Sequence, residues 1–277
     1  MSAPRPKERE GAPVRRPDAG APRAIVVMPA YNAARTLVRT YRDIPADVVD
    51  HVILVDDVSK DDTVAVAELL NLQVVVHRQN RGSGGNQKTC YETALAEGAD
   101  IVVMVHPDYQ YDPTCIPDLI APIVAGEVDM MLGSRFLGDP LAGGMPRWKF
   151  LANRFLTGME NRVFGLKLSE YHSGFRAYSR RLLETIDYHA NSDDFVFDQE
   201  FVAQVVAAGF RIGEVPVPTR YFAEASSVNL RRSVVYGVGT LYSLARYRRA
   251  ARLAAAEAAG AAQGSRRARR AGGSPGA

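Results

Sequence analysis

The sequence predicts an α/β fold in which helices cover both faces of a mostly parallel sheet. Short apolar runs of strand length alternate with segments that carry apolar residues at helical spacing. The runs contain few polar residues, as expected for parallel strands that are buried on both faces. Polar and acidic residues directly follow several runs, at the carboxyl ends where open α/β sheets bind their ligands. A ligand site is therefore expected at that edge.

The predicted elements alternate along the chain. Strands are predicted at residues 24–28, 51–55, 73–77, 101–105, 128–132 and 211–217. Helices are predicted at residues 33–42, 61–70, 87–97, 148–164 and 198–208. The last strand is assigned to an edge of the sheet because Pro216 cannot donate to a ladder. The strand–helix alternation favours parallel pairing for the rest.

Composition indicates an ordinary globular protein with charged ends. The 277 residues are 47% hydrophobic and 23% charged, and the net charge is +3. Residues 1–22 carry +2 and residues 246–277 carry +7, which leaves −6 for residues 23–245. A mildly acidic folded part argues against nucleic-acid binding on its surface.

A single domain with disordered ends is the predicted organisation. Residues 1–22 are rich in proline and charge and are expected to form a disordered arm. The domain is assigned to residues 23–230 and a C-terminal helix to residues 231–253. A disordered basic tail is assigned to residues 254–277.

The C-terminal helix is predicted to be amphipathic because Val234, Val238, Leu241 and Ala245 recur at intervals of three to four residues. Arginines follow, so this helix could lie on an anionic membrane, or it could dock on its own domain or on a partner subunit.

No run of 18 apolar residues and no apolar signal segment is present, so no transmembrane helix is expected. The two cysteines are expected to be reduced, and the expected location is the cytoplasm, with peripheral contact at the inner membrane face as an alternative.

The segment from Ile101 to Pro113 reads IVVMVHPDYQYDP and carries the first chemical signal. His106, Asp108 and Gln110 alternate, so in extended backbone their side chains would point the same way. An imidazole, a carboxylate and an amide oxygen could together hold a divalent ion, and that ion could hold a diphosphate. The alternative is a strand end and a turn, with Asp112-Pro113 starting a helix.

Polar residues also follow the first three predicted strands. Met28-Pro29-Ala30-Tyr31-Asn32 ends the first strand, and Asp56 and Asp57 end the second, where acids can accept hydrogen bonds from a base or ribose. Asp61 or Asp62 could instead cap the next helix. The glycines of the segment at residues 80–87, NRGSGGNQ, allow positive φ and close backbone approach to a ligand, although the spacing is that of neither a Walker loop nor GxGxxG.

Taken in order, these segments resemble the family 2 glycosyltransferases with the Rossmann-like GT-A fold, over about residues 23–225. The shared signature comprises a Pro-x-Tyr-Asn strand end, an Asp-Asp-x-Ser-x-Asp-x-Thr segment, an Asn-x-Gly loop and an acidic metal motif. Gly133-Ser134-Arg135, Gly174-Phe175-Arg176-Ala177-Tyr178 and the strand with Glu214 look most like the dolichol-phosphate mannose synthase branch.

The resemblance implies a nucleotide-diphosphate sugar donor, a divalent cation (Mn²⁺ or Mg²⁺) and inversion at the anomeric carbon. The donor-binding residues it implies are Pro29, Tyr31, Asn32, Asp56, Asp57, Gly82, Arg135 and Arg176. For Arg135 and Arg176, a surface or structural arginine is the alternative. The metal ligands it implies are Asp108, which matches the last acid of Asp-x-Asp, with Gln110 and His106. His106 replaces the first acid and suits Mn²⁺ better than Mg²⁺, or it only hydrogen-bonds the donor.

The resemblance also implies a general base. Asp198 matches the aspartate that serves as base in many family 2 enzymes, and Glu200 lies close enough to share that role. In the mannose synthase branch the residue at this position looks like Gln, because the phosphate acceptor of that branch is already a nucleophile. Asp198 therefore favours a hydroxyl acceptor, unless it only caps its helix. Residues 221–229 lack the Gly-x-Ser-Lys segment of that branch.

These features predict an inverting, metal-dependent glycosyltransferase of the hexosyl type that acts on a hydroxyl acceptor. Two alternatives remain open at the level of the sequence. One is a polyprenyl-phosphate glycosyl synthase working at the membrane face. The other is a catalytically silent protein that binds a nucleotide sugar.

Overall fold

A computed structural model describes residues 20–220 and 237–249 of the chain. Its centre is a sheet of seven strands in the order β3-β2-β1-β4-β6-β5-β7. The strands are β1 (Ala24–Ala30), β2 (His51–Asp56), β3 (Gln73–Val76), β4 (Ile101–Met104), β5 (Met130–Ser134), β6 (Arg176–Ser179) and β7 (Ile212–Pro216). β6 runs antiparallel to β4 and β5, and the other pairs are parallel. The predicted, mostly parallel α/β sheet is confirmed, with β7 at its edge.

Helices cover both faces of this sheet. They are α1 (Ala34–Arg42), α2 (Thr63–Leu69), α3 (Gly82–Ala96), α4 (Ile116–Val124), α5 (Arg147–Phe164), α6 (Arg180–Thr185) and α7 (Phe197–Ala207). Residues 237–249 form a further helix, the C-terminal helix. Short 3₁₀ helices lie at Pro113–Cys115 and Tyr188–Ala190. None of the helices within the described residues is long and apolar enough to span a membrane.

The core is divided by the sheet into two apolar layers. Ile25 and Val27 of β1 pack into one layer, and Val26 and Met28 pack into the other. This alternation follows from the two-residue period of a strand, and it explains why the strands of the sequence are uniformly apolar. Removing these side chains from water is the main favourable contribution to folding.

The chain differs from the sequence-based expectation in several places. α3 begins at Gly82, five residues before its predicted start, because the glycine-rich segment is itself helical. β6 was not predicted, since it is only four residues long and begins with a charged residue. Residues 1–19, 221–236 and 250–277 lie outside the described residues, and they include most of the predicted arm, the basic tail and the segment at 221–229.

The sheet topology determines where a site can form. β2 and β4 flank β1 and are both parallel to it, so the three carboxyl ends meet at one edge. The segment that enters the antiparallel β6 reaches the same edge, as does the end of β5. This edge carries most of the predicted site residues.

Candidate active site

The loops after β1 and β2 are tied together by Asn32. Its backbone lies in the left-handed region, with φ of 53°. Its N–H donates to Ser59 Oγ at 2.8 Å, and its Oδ1 accepts from the Lys60 N–H at 2.7 Å. The N–H and the Oδ1 of Asn32 therefore organise the loops. The neighbouring Tyr31 is 52% exposed, so its ring is accessible to a ligand. Pro29 is buried within β1.

The two acids after β2 have different environments. Asp57 accepts from the backbone N–H groups of Arg81 and Gly82, at 2.7 and 3.0 Å, and its Oδ1 lies 2.8 Å from His77 Nδ1. Asp56 accepts from the Ser59 N–H at 2.9 Å through Oδ2, while its buried Oδ1 accepts no hydrogen bond within the described residues. Asp57 thus anchors the loop before α3, and Asp56 retains an oxygen for a further donor.

The glycines at the start of α3 allow close approach by another segment of the chain. The N–H groups of Gly84 and Gly85 donate to Asp193 O at 2.8 and 3.2 Å. A Cβ on Gly84 would lie 2.5 Å from Ser192 O, and a Cβ on Gly82 would lie 2.6 Å from Asp193 O. The close approach predicted for a ligand is therefore made, in this structure, by the segment that leads to α7. A donor contact at Gly82 stays a prediction.

Lys88 of α3 fixes that same segment. Its buried ammonium donates to the Asn191 carbonyl at 2.5 Å, to His189 O at 3.1 Å and to Asp193 Oδ1 at 2.7 Å. The Asp193 carboxylate therefore forms an ion pair with this lysine, although the Asp193 side chain is largely exposed. α3 thereby positions the beginning of α7.

The segment after β4 turns earlier than predicted. The strand ends at Met104, and Tyr109 has a left-handed φ of 57°. The expected alternation of His106, Asp108 and Gln110 in extended backbone is therefore wrong. All three are nevertheless half-buried at this edge, and the Gln110 N–H donates to Asp108 Oδ1 at 3.1 Å.

Asp108 lies in an environment that disfavours its negative charge. Burial raises the pKa of its carboxyl, and the neighbouring His106, the Gln110 N–H and Lys149 partly offset that effect. Its Oδ2 accepts no hydrogen bond from the part of the chain that the structure describes. A partly buried carboxylate beside an imidazole and an amide is a donor set that fits a divalent cation. Residues 20–220 and 237–249 hold no group of three or more His, Cys, Asp or Glu side chains placed to bind a metal by themselves.

The imidazole of His106 packs directly against Gly174. A Cβ on Gly174 would lie 2.6 Å from His106 Cδ2 and 2.7 Å from Nε2. The Gly174 N–H also donates to the Tyr111 hydroxyl at 3.3 Å. The glycine that precedes Phe175-Arg176 is therefore the residue that makes room for His106.

Arg135 lies at the end of β5 and is held by Glu170. Its N–H donates to Glu170 Oε2 at 3.0 Å, and its guanidinium pairs with the other carboxylate oxygen. Lys149, at the start of α5, interacts electrostatically with both Arg135 and Asp108. Burial and Arg135 lower the pKa of Lys149, and Asp108 acts against them. No motif in the sequence marked Lys149, which is a single lysine in an apolar context.

Arg176 is buried and orients Asp198. Its Nε donates to Ser173 O at 2.6 Å, Nη2 to Tyr171 O at 3.0 Å and Nη1 to Asp198 Oδ1 at 3.0 Å. All three guanidinium nitrogens are thus bound by protein atoms, as expected for the structural alternative. A direct contact of Arg176 with a donor stays a prediction.

The two acids at the start of α7 point to different partners. Asp198 lies in the first turn and does not cap the helix, whose N-cap is Val196. It is partly exposed, and its Oδ2 accepts from no described residue. Glu200 accepts from the Ser192 N–H at 2.7 Å and pairs with Arg246 at 3.5 Å. Asp198 therefore has more capacity for a substrate proton than Glu200.

Comparison with known proteins gives a family match over most of the fold. Residues 25–187 match the model described as Glycosyl transferase family 2. The chain is 28% identical over 213 residues to a UDP-N-acetylglucosamine–dolichyl-phosphate N-acetylglucosaminyltransferase of Methanococcus voltae, covering 71% of this chain and 85% of that one. It is 27% identical over 206 residues to the polyprenol monophosphomannose synthase of Mycolicibacterium smegmatis, covering 70% and 76%.

Solved structures share the fold. One is glucosyl-3-phosphoglycerate synthase from Mycobacterium tuberculosis in complex with Mn²⁺, uridine diphosphate and glucosyl-3-phosphoglycerate. It superposes with a TM-score of 0.62 at 20% identity and covers 83% of this chain and 80% of its own.

Proposed function

Because the chain belongs to glycosyl transferase family 2, we propose that it transfers a sugar from a nucleotide diphosphate donor, with inversion, at the edge formed by β1, β2 and β4. One observation carries this proposal. A half-buried carboxylate, Asp108, lies near His106 and Lys149, and Lys149 in turn lies near Arg135. Such a grouping suits a diphosphate and the charge that develops on it as the sugar departs.

The nucleoside is assigned to the loops after β1 and β2. The exposed ring of Tyr31 can stack on a base, and Asp56 Oδ1 can accept from a base N–H or a ribose hydroxyl. Asp57 supports this site indirectly, because it fixes the loop that precedes α3.

Asp108, His106 and Gln110 would hold the divalent cation. A cation bound there would neutralise charge on the leaving diphosphate as a Lewis acid. The M. tuberculosis synthase was solved with Mn²⁺ and with Mg²⁺, each with uridine diphosphate, and the fold is shared. Arg135 and Lys149 would bind phosphate oxygens, and Glu170 keeps Arg135 in place.

For the acceptor, we favour a polyprenyl phosphate. The named M. voltae and M. smegmatis relatives act on dolichyl phosphate and polyprenol, and a further relative is an undecaprenyl-phosphate mannosyltransferase of Micrococcus luteus. A phosphate acceptor is already anionic and needs no general base. Asp198 would then serve structurally, as the partner of the buried Arg176.

A hydroxyl acceptor is the second candidate, and Asp198 favours it. Arg176 occupies only Oδ1, so Oδ2 remains able to take a proton from an attacking hydroxyl. In either case we assign the reaction to the cytoplasmic side, with peripheral membrane contact through the C-terminal helix.

Product extraction separates the two acceptors. The enzyme, Mn²⁺ and a labelled nucleotide sugar are incubated with a short-chain polyprenyl phosphate or with soluble sugars. We expect labelled product in the organic phase, and we expect the Asp198→Asn variant to retain more than about a tenth of the rate. Label confined to soluble sugars, with a loss of about a hundredfold or more in Asp198→Asn, would instead establish the hydroxyl acceptor.

A further inference from the structure

An apolar stripe on α5 faces solvent. Trp148, Leu151, Phe155 and Met159 recur at intervals of three to four residues and are all exposed. Leu151 is 66% exposed and Phe155 is 63% exposed. The buried side of the same helix carries Leu156 and Phe164, so α5 presents apolar residues on two sides. A helix face of this kind usually marks a surface that is covered in function.

The C-terminal helix extends this stripe. Its Val238, Leu241 and Tyr242 are exposed, and Tyr242 is 66% exposed. The two helices pack together through Phe164 and Tyr247, whose ring centroids lie 5.0 Å apart. Met159 and Leu241 line a shared groove of about 500 Å³ between them. Seven of the fifteen exposed large apolar side chains in the described residues lie on these two helices.

We call this surface the two-helix face, and its exposed charges are all positive. The exposed charged side chains of the two helices are Arg147, Arg154, Arg162, Arg246, Arg248 and Arg249. The one acidic residue of α5, Glu160, is fully buried, and residues 237–249 contain no acid. Residues 23–245 together carry a net charge of −6, so the charge of this face is opposite in sign to the net charge of the predicted domain.

We propose that the two-helix face docks the protein on the surface of an anionic lipid bilayer. Apolar side chains, including a tryptophan, would enter the boundary of the acyl chains, and the arginines would bind the anionic headgroups. The apolar side chains complement the acyl chains of such a bilayer, and the arginines complement its negatively charged headgroups. The face is larger than the C-terminal helix alone, because α5 supplies four of its seven exposed large apolar side chains.

The face adjoins the active site. Trp148 directly precedes Lys149, which interacts electrostatically with Asp108 and Arg135. Phe150 stacks on Phe136, the residue after Arg135, with centroids 5.2 Å apart. Docking would therefore bring the amino end of α5, and the phosphate-binding side chains beside it, to the level of the lipid headgroups. This consequence rests on the proposed function, since it places the site where a membrane-embedded lipid phosphate can reach it.

Vesicle sedimentation tests the proposal with the full chain and no substrate. Vesicles of phosphatidylcholine alone are compared with vesicles that also contain phosphatidylglycerol, at low and high salt. We expect binding to the anionic vesicles, weakened by salt, and a loss of about tenfold or more in the Leu151→Gln/Phe155→Gln variant. Leu69→Gln is the matched control, because Leu69 is 71% exposed on the distant α2, and its binding should equal that of the unmodified chain.

Three results would overturn the docking proposal. They are no binding to anionic vesicles, equal binding by the double variant, and a dimer that the double variant dissociates, which would assign the face to a second copy. Transfer to a short-chain polyprenyl phosphate in solution is measured in parallel and should be unchanged in the double variant. Vesicle binding without transfer to any lipid phosphate would overturn the proposed acceptor alone. Transfer without vesicle binding would overturn the docking alone.

Discussion

At the scale of the residue, one substitution in the site is matched by the packing around it. His106 stands where the family has an acid, and its ring fills the space that a Cβ on Gly174 would occupy. Gly174 has no left-handed φ, so its requirement is steric and not conformational. The position of the imidazole beside Asp108 therefore depends on a residue in another element.

Gly174→Ala tests this dependence. The added methyl group would meet the imidazole at 2.6 Å, so the ring must move. We expect metal-dependent binding of the nucleotide sugar to weaken about tenfold or more, with a smaller effect on the melting temperature, because a side chain can yield where backbone cannot. Binding is measured by calorimetry.

Two further variants complete the experiment. Gly158→Ala is the control, since nothing lies within 4 Å of its Cβ position, and it should bind the donor normally. In a His106→Ala background the second substitution, Gly174→Ala, should have little added effect. Additive losses in the double variant would show that Gly174 acts through something other than His106.

The sequence could locate candidate site residues where a motif fixes them, but it could not give the contacts that depend on tertiary packing. Asp56 and Asp57 were predicted together, but which of them keeps a free oxygen depends on the N–H groups of Arg81 and Gly82. Lys149 was missed because its proximity to Arg135 and Asp108 arises from the tertiary fold and not from a local motif. From the sequence, Arg176 could bind the donor or be a surface or structural arginine, and its burial excludes the surface position.

At the scale of the element, α3 and α7 are joined by one buried lysine. Lys88 Nζ donates to two carbonyls and one carboxylate in the segment at residues 189–193. The N–H groups at the start of α3 donate to the same segment. The position of Asp198, a few residues further on, therefore depends on α3.

Lys88→Met should remove this connection while retaining most of the side-chain volume. The buried Asn191 carbonyl and the part-buried His189 carbonyl would lose their donor, so we expect the free energy of unfolding to fall by about 2–4 kcal/mol. Urea unfolding measures it. Lys167→Met, at an exposed lysine, is the control and should change the free energy by less than about 0.5 kcal/mol. A fall of less than about 1 kcal/mol in Lys88→Met would contradict the account.

Element boundaries show where local sequence is insufficient. The long apolar strands and α5 were predicted within two residues, since their patterns are continuous. The start of α3 was placed too late, because glycines were interpreted as loop although tertiary contacts hold them in a helix. The turn at Tyr109 was missed, because nothing in the sequence requires a tyrosine with positive φ there.

At the scale of the whole molecule, the two proposals concern one edge of the sheet and one side of the domain. The sheet edge gathers the predicted donor and metal residues, and the two-helix face begins beside it. The sequence indicated the amphipathic C-terminal helix, but the apolar positions of α5 were compatible with ordinary core packing. Only the exposure of Leu151 and Phe155 shows that α5 carries a solvent-facing apolar stripe in addition to its core-facing residues.

The central claim is that this edge binds a nucleotide sugar with the help of a divalent cation. Calorimetry with uridine, guanosine, thymidine and cytidine diphosphate sugars, each with Mn²⁺, Mg²⁺ or a chelator, tests it most directly. Asp108→Asn should abolish the metal dependence, and Asp118→Asn, at an exposed acid on α4, should leave it intact. The account predicts saturable binding of one donor that the chelator removes. Absence of binding by every donor with every metal would contradict it.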